Sequence, residues 1–165
     1  AEAFAPREFM EFVDEIQVMD YEGNIKTIDK KDLKISYRHT DGWQPGIITL
    51  VKISWPMEMD ETILQKVKEA NRTRLNKQPL DMPSCGSVFK NPPDHKAAQL
   101  IDQSGLKGFR IGDAQVSLKH ANFIVNVGKA KAKDIWEVIQ HVRMTVLEKQ
   151  KVSLTTEVVK LGLWN

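Results

Sequence analysis

The chain has 165 residues, 41% hydrophobic and 28% charged, which suits one ordinary domain or two small lobes and excludes a disordered or fibrous protein. Lysine and arginine number 24 against 22 acidic residues, and a formal net charge of +2 excludes the broad basic face of a dedicated nucleic-acid binder while allowing one local anion pocket. The lone cysteine, Cys85, excludes an internal disulfide framework and cannot build a zinc site.

No run of about 18 apolar residues is present to span a bilayer. The first eight residues lack the charged and apolar regions of a signal peptide, so the start reads as cut rather than targeted and the expected compartment is the cytoplasm. The first third is strand-rich. Residues 16–20 and 25–28, separated by the Gly23-Asn24 turn signal, predict a hairpin. Residues 29–33 predict one helical turn, residues 35–38 a strand, and the β-branched run 46–55 a longer strand ended by Pro56. A boundary is expected near Met57.

From Asp60 the apolar period lengthens toward 3.6, with Ile63, Leu64, Val67, Ala70 and Leu75 on one face, so an amphipathic helix is predicted, capped by Asp60 and stopped by Gln78-Pro79. The segment from Pro83 to Pro93 reads as a rigid loop. Its prolines and Gly86 fix the directions in which Ser87, Lys90 and Asn91 are presented. A shorter helix follows, with Asp94 as its expected cap, Ala97, Leu100 and Ile101 inward, and Gly105 near its end. Short strands at 109–111, 114–117 and 122–126 predict a small antiparallel sheet. Then comes the clearest helix, with Ile135, Val138, Ile139, Val142, Val146 and Leu147 in one stripe. A last strand from Leu154 to Leu163 puts Glu157 on the face of Val159, Leu161 and Leu163. If that face packs inward, Glu157 requires cationic or donor partners, or stays protonated, and either suits catalysis; if the strand is an edge, the acid faces water.

The ordered series Tyr37-Arg38, Lys77-Gln78-Pro79, Pro83-Ser84-Cys85-Gly86-Ser87-Val88-Phe89-Lys90-Asn91-Pro92, Ala98 to Asp102, Gly105 to Gly108, Ile111-Gly112, Val116-Ser117, His120 to Asn126 and Glu157 resembles the flavin-dependent UDP-N-acetylenolpyruvoylglucosamine reductases, also called UDP-N-acetylmuramate dehydrogenases. The resemblance implies an α+β fold, with a substrate-binding domain over 58–165 built on a small antiparallel sheet packed with helices. Residues 1–57 would be the strand-rich end of a flavin-binding domain whose greater part is missing, leaving a C-terminal piece of a longer enzyme. It further implies FAD and NADPH as cofactors, UDP-N-acetylglucosamine enolpyruvate as substrate, and a place in peptidoglycan synthesis.

By the same resemblance Arg38 matches the arginine beside the enolpyruvyl carboxylate, Ser87 the proton donor to the carbanion, and Glu157 the acid that assists it. Tyr37, Lys77, Asn91 and His120 match substrate contacts, Lys77 beside the diphosphate. Glycines 105, 108 and 112 make no dinucleotide fingerprint, and cofactor-binding residues are left unassigned. His39-Thr40 and Val159-Lys160 depart from the family pattern after Tyr37-Arg38 and after Glu157, and the insertion that carries a substrate-covering tyrosine in one branch is missing.

Plainer roles stand beside these. Ser87 could serve only a tight turn, Arg38 could be a solvated charge, Lys77 could complement a helix dipole, and His95 and His141 carry no assignment. Two other function classes are a cysteine hydrolase using Cys85 with His95 or His120, and a non-catalytic nucleotide-sugar binding fragment.

Overall fold

A computed structural model describes residues 8–36, 39–55 and 61–162. Its contacts divide the chain into two compact units, residues 1–70 and 71–165.

In the first unit β1 (Val13–Met19) pairs antiparallel with β2 (Ile25–Asp29) on one side and with β5 (Ile47–Ile53) on the other. The predicted hairpin is present, and local chemistry makes its turn. Asp20 accepts the N–H groups of Glu22 and Asn24, each at 2.9 Å, and Gly23 takes φ +90°. The Asn24 carboxamide, which donates to Asp20 at 3.0 Å, and then the N–H groups of Asn24 and Glu22 hold the Asp20 carboxyl below its ordinary pKa. The expected helical turn is a 3-10 turn at Lys30–Asp32, capped by the Asp29 carboxylate on the Lys31 N–H. Strands β3 (Lys34–Ser36) and β4 (His39–Asp41) form a second, two-stranded sheet. Val13, Ile16, Val18, Ile28 and Leu33 are the buried cluster of this unit. The boundary expected at Met57, the cap Asp60 and Pro56 lie outside the described residues.

Helix α1 (Ile63–Lys77) forms where the period predicts it, yet no residue of it is buried. Beyond it, the second unit has a four-stranded antiparallel sheet in the order β6-β9-β8-β7: β6 (Ser84–Ser87), β7 (Arg110–Ile111), β8 (Ala114–Val116) and β9 (Phe123–Asn126). Helices α2 (Ala97–Gln103) and α3 (Ala132–Gln150) join it in one core. The α3 stripe is buried through Val138, Ile139, Val142 and Val146, against Val88, Phe89, Ile101, Val116 and Ile124. Leu147, counted in that stripe, is exposed. Asp134 fastens the start of α3 by accepting the Lys131 N–H at 2.9 Å, a capping-box bond. The fold is therefore the expected α+β arrangement of a small antiparallel sheet with helices.

Three expectations change. The motif segment is not wholly a loop, because Ser84 to Ser87 make an edge strand on β9. Asp94 does not cap α2. It sits at φ +59°, and the Asn91 side-chain oxygen accepts the Ala97 N–H at 3.0 Å instead. Nor is residue 154 onward a long strand: it makes one antiparallel bridge, Thr156 with Phe89. Leu154 is buried and Val158 packs on the core, whereas Val159 and Leu161 are exposed, so the face assigned to Glu157 is not a packed one.

Candidate functional site

Between the pairs Ser84 with Val125 and Ser87 with Phe123, β6 spends two residues, Cys85 and Gly86, against one on β9. This is a bulge, and Gly86 makes it possible by taking φ +80°, a left-handed conformation that favours glycine. The bulge ends at Ser87, which is exposed and whose hydroxyl has no hydrogen-bond partner among the described residues.

The chain after Ser87 is fixed on both sides. Val88 N–H donates to the Asn122 carbonyl at 2.9 Å, and the buried Asn122 carboxamide accepts the Phe89 N–H at 3.0 Å and donates to the Phe89 carbonyl at 2.9 Å. From the other side Glu157 N–H donates to the Val88 carbonyl at 2.8 Å, and Lys90 N–H donates to the Thr155 carbonyl at 2.9 Å. Every backbone polar group from the Val88 N–H to the Lys90 N–H is thus bonded, and the half-buried Glu157 is held beside the residue that follows Ser87. Asn122 belonged to the recognised motif series but received no role; a carboxamide inside the apolar run from Ala121 to Val125 was the available signal.

Asn91 has a structural task, starting α2. Its place one residue after Lys90 ties it to the same corner. Lys77 closes α1 with Arg74 in the same last turn, which suits the negative end of the helix dipole. His120 lies close to Ser87 through Phe123: its ring meets the Phe123 ring edge-on at 4.8 Å, and Phe123 is the strand partner of Ser87. The His120 Nδ1 accepts the Asn122 N–H at 3.3 Å, which leaves Nε2 to carry the ring proton in the neutral form.

His120 also lines a cavity of about 390 Å³ with Gln99, Asp102, Gln103, Lys107 and Lys119. Lys107 pairs with Asp102 at 2.7 Å, while Lys119 reaches back 2.5 Å to the Leu75 carbonyl near the end of α1 that bears Lys77. Two ammonium groups against one carboxylate leave a local excess of positive charge around this cavity. Neither lysine was singled out from the sequence, since a lysine on a surface element is ordinary until folding collects it.

Cys85 lines a different, apolar cleft of about 390 Å³ with Pro83, Ile124, Ile135, Trp136 and Val158. The residue is exposed, but the cleft walls desolvate its sulfur and push the thiol pKa up, with no imidazole acting on it. A thiol shifted that way is a poor nucleophile at neutral pH, which argues against a cysteine hydrolase. Tyr37 and Arg38 lie outside the described residues. Beside them in sequence, His39 Nε2 lies 2.9 Å from an Asp41 carboxylate oxygen, so the departure at that position has its own hydrogen-bond partner.

The glycine turns serve the protein itself. The Gly105 N–H bonds the Asp102 carbonyl and the Gly108 N–H the Val116 carbonyl, and a side chain at Gly112 would strike the Asp134 carboxylate at 2.7 Å. None of these three turns is a phosphate cradle. Among the described residues, no helix is long and apolar enough to cross a membrane.

Comparison with known proteins points one way. A family model described as "UDP-N-acetylenolpyruvoylglucosamine reductase, C-terminal domain" matches residues 78–161. The UDP-N-acetylenolpyruvoylglucosamine reductase of Listeria welshimeri serovar 6b is 48% identical over 141 residues, covering 85% of this chain and 48% of the relative. The Clostridium tetani protein of the same name is 42% identical over 156 residues, 94% of this chain and 51% of the relative. The crystal structure of the Thermus caldophilus UDP-N-acetylenolpyruvylglucosamine reductase aligns with a TM-score of 0.76 at 35% identity, over 93% of this chain and 55% of that one. The chain spans about half the length of the relatives it matches.

Proposed function

This chain belongs to the family of UDP-N-acetylenolpyruvoylglucosamine reductases, and from that premise we propose that it is the substrate-binding part of an FAD- and NADPH-dependent enzyme. The enzyme reduces UDP-N-acetylglucosamine enolpyruvate to UDP-N-acetylmuramate for peptidoglycan synthesis in the cytoplasm. The flavin's pyrophosphate is assigned to the length of the relatives that this chain does not match, with residues 1–57 as the end of the flavin-binding domain, while NADPH enters the same cleft as the sugar nucleotide, before it.

On the substrate side, Ser87 delivers a proton to the carbon beside the enolpyruvyl carboxylate, and Glu157 assists that transfer. Arg38 holds the carboxylate, for which a guanidinium fork supplies two parallel hydrogen bonds. The diphosphate lies among Lys77, Lys107 and Lys119, with His120 and Asn91 as further contacts and Tyr37 beside Arg38. The observation that carries this reading is the fully bonded corner at Val88 to Lys90, which holds Glu157 next to the residue after a bulge-presented Ser87. A fixed backbone with a free hydroxyl is what proton delivery to one face of a carbon requires.

The decisive experiment is Ser87→Ala in the full-length protein. Turnover of the enolpyruvyl nucleotide is expected to fall by about 10²–10⁴-fold while NADPH still bleaches the flavin; full turnover would remove Ser87 from the mechanism. For these 165 residues alone, spanning half of the relatives' length, the supported reading is a nucleotide-sugar binding fragment without turnover. Titration calorimetry with UDP-N-acetylglucosamine should detect binding, and Lys107→Met should weaken it by about tenfold. Absence of binding would sink the fragment reading.

A further inference from the structure

Glu157 stands on a segment that regular structure hardly holds. Residues 151–160 contain no helix or strand, and the sole sheet contact there among the described residues is the Thr156 bridge to Phe89. A carboxyl that assists a proton transfer must nevertheless be held to within about 0.5 Å of its working position.

Helix α3 grips this segment on both sides of the acid. Three residues before Glu157, the half-buried Arg143 donates from Nε to the Leu154 carbonyl at 3.1 Å. Three residues after it, the Lys160 ammonium lies 4.3 Å from the centre of the Trp136 ring, inside cation–π range. Positions 136 and 143 are two helical turns apart, so the two grips leave one face of α3 about 10 Å apart along its axis. Their mounting is rigid, because Val138, Ile139, Val142 and Val146 fix α3 in the core. A bond from a guanidinium to a carbonyl is also stronger than one between neutral groups.

We infer that Arg143, with the Lys160–Trp136 pair as a second clamp, is a positioning residue for the reaction: through the backbone of Leu154 it sets where Glu157 stands beside the corner that presents Ser87. This rests on the assignment of Glu157 as the assisting acid. Arg143 works on the segment and not on the substrate. Lys160, which departs from the family pattern, acquires a task by the same geometry.

The test uses the full-length enzyme and substitutions chosen by atom position. Glutamine carries its side-chain N–H as many bonds from the backbone as the arginine Nε, whereas methionine has the length without the donor. Arg143→Met should lower kcat by about 10–100-fold, with KM for the enolpyruvyl nucleotide and the rate at which NADPH bleaches the flavin unchanged. Arg143→Gln should keep most of the turnover. Lys160→Gln should lower kcat by about two- to fivefold. With Glu157→Gln already in place neither change should cost anything further, since the group they position is gone. In these 165 residues, the N–H groups of Glu157 and Lys90 should exchange about tenfold faster in Arg143→Met, while the Val88 N–H, bonded to Asn122 on the other side, keeps its rate.

Full turnover in Arg143→Met, glutamine no better than methionine, an equal further loss on top of a slow Glu157→Gln, or unchanged exchange at Glu157 would each overturn the inference and leave the acid assignment standing. A fully active Glu157→Gln would overturn both. Should Arg143→Met not fold, Lys160→Gln, at an exposed site, carries the same comparison, and full turnover there would overturn the inference.

Discussion

Asn122 is the residue on which the geometry near Ser87 most depends, because one carboxamide satisfies both backbone groups of Phe89. Asn122→Ala leaves a buried N–H and a buried carbonyl unpaired, and its expected cost is about 2–4 kcal/mol in urea unfolding. Asn122→Asp keeps the acceptor and loses the donor, so it should recover part of that loss. Gly86→Ala meets open space but an unfavourable φ, for a cost of about 1–2 kcal/mol; a neutral result would mean the bulge is easily reshaped. Ser87→Ala, at an exposed hydroxyl, should change stability by less than about 0.5 kcal/mol, which separates a chemical role from a structural one. Asp113 supplies an acid response. The Lys129 N–H and then the Arg110 guanidinium hold its carboxyl below the ordinary aspartate value. A carboxyl with a depressed folded pKa contributes stability that is full above its unfolded pKa of about 4 and is lost as pH falls through the folded value. Melting temperature should therefore decline below about pH 4, and Asp113→Asn should flatten that decline. An unaltered slope would assign the acid response to other groups.

At the level of elements, legibility followed the range of the interactions. The hairpin around Gly23 could be read because Asp20 and Asn24, four residues apart, close the turn between themselves. Helix α3 could be read because its buried residues recur at the helical period within one segment. Ile139→Ala should cost about 2–5 kcal/mol and Leu147→Ala little, since the first is buried and the second is not; equal costs would contradict the packing. β6 was hidden, because its partners on β9 come some forty residues later and its bulge disrupts period-two alternation. The cap of α2 was hidden too. Asp94 stands at the right distance in sequence, but a left-handed turn at that residue hands the task to Asn91. The expected final strand reduces to one bridge, because Val88 to Lys90 offers only two backbone groups on that side, to Thr155 and Glu157.

For the whole molecule, the α+β class, the order of the motifs and the family followed from sequence. They depend on turn residues, on periodicity and on an unusually specific run from Pro83 to Pro92, all of which act over short stretches of chain. The long β-branched run of β5 predicts a strand and forms one, and each of its residues is exposed. Strand propensity is local, whereas burial needs a second layer that the sequence of the strand cannot specify. The same division holds at the site. Resemblance to the family pointed to Tyr37, Arg38, Lys77, Ser87, Asn91, His120 and Glu157 through the order of its motifs. Only tertiary structure decided that Asn122 locks the corner, that Asn91 spends its oxygen on a helix start, and that Lys107 and Lys119 meet His120 around one cavity. Residues far apart in the chain become neighbours through backbone pairing and core packing, and those long-range contacts leave no signature in any short window of sequence.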